Sequence, residues 1–297
     1  MPPPDMLPAM DPAVRAPRFA ICNELFRAWS YAQACQFVAD LGYTGLEVAP
    51  LTILDSDDGI SARRARELRQ AISQAGLTTV GLHWLLANTQ GLGLTDSDES
   101  VRRQTADYMG ELAQLCRDLD GNLMVLGSPR QRQRAAHVSP ELAQDYAADC
   151  LMRLLPTLEQ QRVTLALEPL GPSETNFLNT AAQAVELIEQ LDSPWVKLHL
   201  DVKAMSSEAD PIPEILRCNR RDLVHFHAND ANLRGPGMGE IDFVPILRAL
   251  QTIDYAGWIS VEVFDETPGP EVLARESLHN LQRDWEAAAQ SWQPGEA

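Results

Sequence analysis

Glu168, Asp201, His227 and Glu262 stand near the ends of four short apolar runs, VTLALEPL, VKLHLDV, LVHFHAN and WISVEVF. Three carboxylates and one imidazole form a mixed oxygen and nitrogen donor set. Without a thiolate, such a set favours Mn²⁺, Co²⁺ or Mg²⁺ over structural zinc. Any one of the four is as well explained as a buried polar residue satisfied by hydrogen bonds. All four at matching depth are better explained by a bound cation, because mutual repulsion and desolvation would otherwise be costly.

The runs that must position these residues alternate. Val163, Leu165 and Leu167 oppose Thr164, Ala166 and Glu168, while Val196, Leu198, Leu200 and Val202 oppose Lys197, His199, Asp201 and Lys203. Val224, Phe226 and Ala228 oppose His225, His227 and Asn229; Ile259, Val261 and Val263 oppose Ser260 and Glu262. Parallel strands buried on both faces read as nearly continuous apolar runs. These four instead keep one side apolar and carry ionisable groups on the other, near their C-terminal ends. In a closed barrel that second side is the lumen, and its C-terminal mouth is where such a fold does chemistry.

RFAICNE, TGLEVAP, TTVGLHW and NLMVLGS bring the predicted strands to eight. Between strands lie helical patterns such as SYAQACQFVADLG, SARRARELRQAISQAG, ESVRRQTADYMGELAQLCRDL and TAAQAVELIEQL, several with a Ser or Thr start and a Gly stop. The expected fold is α/β, a single (β/α)8 TIM barrel over residues 17–297 with a C-terminal helical extension. A doubly wound open sheet is the alternative, but no G-x-G-x-x-G turn follows the first strand. Residues 1–16 are proline-rich, lack the pattern of a signal peptide and are expected to form a flexible tail.

LALEPLGPSETNF, HLDVKAM, VHFHANDANLRGPGMGEIDF and WISVEVF together resemble the metal-binding half of the sugar phosphate isomerase/epimerase superfamily, with its xylose isomerase-like TIM barrel. The likeness is greatest to the D-tagatose/D-psicose 3-epimerases. It is specific over residues 160–265, where the gaps between the four ligand positions are 33, 26 and 35 residues, and general before that. The resemblance implies that Glu168, Asp201, His227 and Glu262 hold one divalent ion, Mn²⁺ ahead of Co²⁺ or Mg²⁺. The ion would grip two adjacent oxygens of an open-chain sugar. Glu168 and Glu262 would exchange a proton with the neighbouring carbon on opposite faces, through an enediolate. Glu174 matches a family carboxylate that contacts substrate.

One position departs from that pattern. Three residues after the metal aspartate the 3-epimerases carry a histidine, and here the residue is Ala204, preceded by Lys203. Lys203 shares the strand parity of Asp201, so a cation is placed to neutralise an oxyanion, bind a hydroxyl or protonate a leaving group; a lysine reaching out to solvent accounts for it equally well. Arg234 lies near the family's substrate-binding arginine, although strict alignment puts Leu233 there. The loop Asn229–Phe243, with glycines at 235, 237 and 239, reads as a flexible rim.

In the first half, Glu24, Glu47 and His83 share the lumen parity, and His83, Trp84 and Trp29 are candidates for substrate contact, each explained as well by ordinary packing. His199 and His225 lie one step below Asp201 and His227 and are predicted to orient them. Arg130 and Arg132 follow the fourth strand, where they could meet an acidic or phosphorylated substrate, but a surface role is the favoured reading.

The chain has 297 residues, a net charge of −18 and 45% hydrophobic residues. That acidity disfavours nucleic acid and anionic membrane as partners. Five scattered cysteines indicate a reduced, cytoplasmic protein without disulfides. The expected activity is a divalent-metal-dependent sugar isomerase or epimerase acting on a keto-sugar or related polyol. The alternative on the same scaffold is a metal-dependent lyase or dehydratase, performing β-elimination from a keto-inositol or 3-keto-glycoside. A nuclease resembling endonuclease IV is disfavoured by the charge and by only six histidines. A non-catalytic sugar-binding barrel is disfavoured by the intact quartet. The expected partner is a small sugar, with homo-oligomerisation open and Trp285 and Trp292 as candidate contacts.

Overall fold

In the computed structural model, which describes residues 15–54 and 59–290, eight parallel strands pair in chain order and close into one barrel. They are β1 (Arg18–Cys22), β2 (Gly45–Val48), β3 (Thr78–Leu82), β4 (Leu123–Leu126), β5 (Thr164–Leu167), β6 (Val196–Asp201), β7 (Leu223–Ala228) and β8 (Trp258–Val261). Helices α1 (Tyr31–Leu41), α2 (Ala62–Gln74), α3 (Glu99–Asp118), α4 (Pro140–Gln161) and α5 (Ala181–Leu191) follow the first five strands. Two short helices, α6 (Val202–Met205) and α7 (Ile212–Cys218), lie between β6 and β7, and α8 (Phe243–Thr252) and α9 (Pro270–Gln290) complete the ring. Most of the expected tail (residues 1–14) and Trp292 lie outside the described residues.

The helix starts follow side-chain chemistry that the sequence displays. Ser30 and Gln33 form a capping box on α1, and Gly42 ends that helix in the left-handed region at φ 107°. Ser61, Ser139 and Thr180 cap α2, α4 and α5, each accepting from a backbone N–H in the first turn. A cap of this kind contributes about 1 kcal/mol.

The apolar strand side packs under the helices, with Leu165, Leu167, Leu198, Leu200, Phe226 and Val261 all in the main core. Inside the barrel, Ala20, Val80, Leu123, Val125, Ala166 and Trp258 form a separate apolar cluster that floors the lumen. The guanidinium of Arg18 lies 3.8 Å from the Trp258 ring centroid.

Two features correct the alternation read from sequence. Leu198 pairs with Leu223 and His199 with His225, so Val224 is an extra residue in β7. This bulge turns Val224 toward the floor cluster instead of the helices, after which His225 and His227 resume the inward side. The strand expected to run through Val202 stops at Asp201, because the Asp201 side chain caps α6 by accepting from the Ala204 N–H at 2.8 Å.

Candidate functional site

Four neighbouring strands deliver the quartet to the mouth. Glu168 and Glu262 each follow their strand by one residue, Asp201 ends β6, and His227 pairs across the ladder with Asp201. One donor atom from each of Glu168, Asp201, His227 and Glu262 falls within 4.8 Å of all the others, and all four residues are buried. A cavity of about 280 Å³ opens above them, reached by Glu168, Glu262, Trp84, Glu174, Lys203 and Phe264. A larger hollow of about 710 Å³, bordered by α1 and α2, contains no member of the quartet.

The carboxylates are held by specific partners. Glu262 Oε1 accepts from Trp84 Nε1 at 2.8 Å, and its Oε2 is 3.2 Å from His227 Nδ1. Asp201 is held by the amide of Asn229, whose own Oδ1 accepts from the Lys203 N–H at 2.8 Å. Gly127, just past β4, lies so close to Glu168 that a Cβ there would overlap the carboxylate. Arg132 Nη1 donates to the Glu168 backbone oxygen at 2.5 Å.

The electrostatics of the four side chains are asymmetric. Burial, then the charges of Glu262 and Asp201, push Glu168 up to about 8. Burial and Glu262 likewise push Asp201 up to about 6. Burial also works on Glu262, but the imidazoles of His227 and His83 reverse it and hold that carboxyl well below the usual range. His227 is raised despite burial, by Glu47 and Glu262. Three oxygens and one nitrogen, within reach of one centre and with two carboxyls driven toward neutrality by burial and by the charge of Glu262, fit a divalent cation by donor chemistry and by electrostatics alike.

The remaining sequence candidates divide into those that face the cavity and those that do not. Lys203 Nζ sits 2.8 Å from Glu174 Oε1 and 4.3 Å from the Phe264 ring centroid, at the cavity wall. Trp84 also lines it. His83 does not; it is fully buried behind Glu262, 2.9 Å from Glu24 Oε2 and 3.4 Å from Glu262 Oε1. Arg234 pairs with Asp265 at 2.9 Å, away from the cavity. Its loop is closely packed, with Gly235 against Ser277 on α9, and the Asn280 amide donates to Pro236 O at 3.0 Å, so the glycines there serve close approach. Trp29 packs against Phe26 and Phe37.

His225 Nε2 lies 2.9 Å from Glu47 Oε2, and His227 Nε2 lies 3.1 Å from the same atom. His199 makes no hydrogen bond through either ring nitrogen and stacks edge-on to His227, with ring centroids 4.2 Å apart. Arg132, read from sequence as a surface residue, is 1% exposed; its loop folds inward because the guanidinium reaches the carbonyl of Glu168. Asn229 and Phe264 were not among the candidates. Both carried a signal, since Asn229 continues the inward parity of His225 and His227, and Phe264 that of Ser260 and Glu262.

Comparisons with known proteins agree with the barrel fold. The family model described as Xylose isomerase-like TIM barrel matches residues 35–284. An L-ribulose 3-epimerase from Mesorhizobium japonicum is 28% identical over 241 residues, covering 80% of this chain and 77% of its own length. A D-psicose 3-epimerase from Ruminiclostridium cellulolyticum is 28% identical over 238 residues, covering 79% and 78% respectively. Among solved structures, the 3-keto-D-glucoside 4-epimerase from E. coli superposes with a TM-score of 0.79 at 20% identity, covering 90% of this chain and all of that one. At that identity the likeness is one of fold.

Proposed function

Since the chain belongs to the xylose isomerase-like TIM barrel family, we propose that it is a sugar epimerase that depends on a divalent metal and acts on a keto-sugar in the barrel mouth. The observation that carries this reading is the meeting of Glu168 and Glu262, from strands β5 and β8, at one cavity with Asp201 and His227 behind them. The named activities of the curated relatives, both ketose 3-epimerases, support it.

Glu168, Asp201, His227 and Glu262 would hold the ion, Mn²⁺ ahead of Co²⁺ or Mg²⁺, which when bound supplies Lewis-acid polarisation of the substrate carbonyl. Glu168 and Glu262 approach the cavity from different strands, so they serve as the two proton carriers. Glu262, held anionic by His83 and His227, is suited to take the proton from the carbon beside the carbonyl. Glu168, reaching the cavity from the end of β5, is placed to return one to the other face. The reverse reaction exchanges the roles. Trp84 and Phe264, stacked at an interplanar angle of 24°, give the substrate an apolar wall, and Lys203 and Glu174 offer a donor and an acceptor for hydroxyls.

A second reading, elimination from a 3-keto-glycoside or keto-inositol, is favoured by Lys203, whose ammonium stands at the cavity where it could protonate a departing oxygen. Mn²⁺-loaded protein incubated with L-ribulose, D-psicose and a 3-keto-D-glucoside separates the two. Epimers of the supplied sugar support the first reading. Aglycone or water released without any epimer would refute it in favour of the second.

A further inference from the structure

Beneath the quartet stands a carboxylate that meets neither the cavity nor solvent. Glu47, on β2, is fully buried. A single oxygen, Oε2, lies 2.9 Å from His225 Nε2 and 3.1 Å from His227 Nε2, while Oε1 has no hydrogen-bond partner. Cys22 Sγ is 3.8 Å from the same Oε2.

An ionised carboxylate accepts hydrogen bonds and donates none. Each imidazole must therefore turn an N–H toward Oε2, which places a hydrogen on Nε2 of both rings, so that in the neutral ring the Nδ1 lone pair is the one available to a cation. In His227 that lone pair points at the quartet, where Nδ1 is 3.2 Å from Glu262 Oε2. The opposite tautomer would set the Nε2 lone pair against a carboxylate oxygen and give the Nδ1 hydrogen to Glu262. The quartet would then lose its nitrogen donor. His225 braces the arrangement from the other side, one step lower in the strand register, where it pairs with His199.

We propose that Glu47 is a positioning residue for the metal site, fixing His227 as the Nε2–H tautomer and strengthening Nδ1 as a donor toward the quartet. The proposal rests on the quartet's metal-binding role. A carboxylate behind a metal-binding imidazole commonly sets ring orientation and basicity, and its loss costs roughly 10–100-fold in metal affinity.

The test compares Mn²⁺ affinity, read from the EPR signal of free Mn²⁺, in the unmutated protein, Glu47→Gln and Glu47→Asp. Glu47→Gln, which keeps the shape and removes the charge, is expected to weaken binding about 10–100-fold. Glu47→Asp should recover part of that loss. In parallel, the ¹⁵N-histidine spectrum of the Mg²⁺-loaded protein should show His227 and His225 protonated at Nε2 and not at Nδ1, and Glu47→Gln should shift His227 away from that state. Binding by Glu47→Gln within about twofold of the unmutated protein, or a hydrogen on Nδ1 of His227, overturns the proposal and leaves the epimerase reading standing. Absence of Mn²⁺ binding in the unmutated protein overturns both. If Glu47→Gln does not fold, the tautomer measured in the unmutated protein decides alone.

Discussion

The indole of Trp84 donates to the carboxylate of Glu262 at 2.8 Å, and the Trp84 backbone sits at φ 52° to place it there. A bulky residue in the left-handed region is costly. The strain is stored where the hydrogen bond orients a carboxylate assigned to proton transfer. Trp84→Phe keeps a ring beside Phe264 and removes the N–H. A hydrogen bond to a charged group contributes about 1.5–3 kcal/mol, so kcat should fall roughly 10–100-fold with a smaller change in KM. Steady-state kinetics on the preferred ketose check this; unchanged kcat would mean that the bond does not hold the reactive geometry.

Glu168→Gln and Glu262→Gln each preserve shape and remove a proton carrier. Loss of a general acid or base costs roughly 10²–10⁴-fold, and both variants should reach at least that. Because each carrier serves one face, either variant should lose epimerisation while deuterium from D2O still exchanges into the one epimer that faces the remaining carboxylate. Either variant retaining near-full turnover would remove that residue from the mechanism.

Metal-free protein should lose stability as pH rises. The folded state raises Glu168 to about 8 and Asp201 to about 6, above their unfolded values. The folded form therefore binds protons more tightly than the unfolded chain. The resulting stabilisation is complete below about pH 4, near the unfolded carboxyl values, and is lost as pH climbs through 6 and then 8. Adding Mn²⁺ should flatten the decline and release protons near pH 6–7, an interval taken from the same two raised values. Calorimetric melting with and without the metal, and titration in buffers of different ionisation enthalpy, measure both effects. A metal-free Tm that does not fall between pH 5 and 9, about the span of those values, would contradict the assignment.

Gly127→Ala introduces a Cβ into the space of the Glu168 carboxylate. The overlap is with the end of a flexible side chain, so the fold should survive with a Tm within a few degrees. The displaced carboxylate should weaken Mn²⁺ binding and lower kcat at least tenfold, an order set by about 1.4 kcal/mol of misplacement. Metal titration beside thermal melting separates this outcome from general destabilisation.

The barrel and the quartet were legible in the sequence for one reason. An apolar outer side and a polar inner side alternate with period two along β5, β6 and β8, and the candidate ligands fall on the inner side at strand ends. The period carries no information once a strand bulges or turns into a helix. Val224 took the floor side because a bulge shifted its register, and Lys203 lies in a helical turn started by Asp201. Arg132 was out of reach for a related reason: it sits in an irregular loop, and its burial follows from one contact with the Glu168 carbonyl, distant in sequence. Glu47 was visible as an inward carboxylate on β2, but its two imidazole partners come from β7, and pairing across the lumen is set by closure of the barrel.

The apolar cluster of Trp258, Val125, Leu123 and their neighbours makes the lumen a dead-ended shaft. On the epimerase reading, a sugar would enter with its reacting end foremost and leave by the way it came. Carbons near the carbonyl are thereby confined among Glu168, Glu262 and Trp84, while the opposite end of the molecule faces the opening. Discrimination should be strict for configuration at the buried end and lenient for length or substitution at the exposed one. An enzyme of this shape would accept a family of substrates that share a head and differ in their tails.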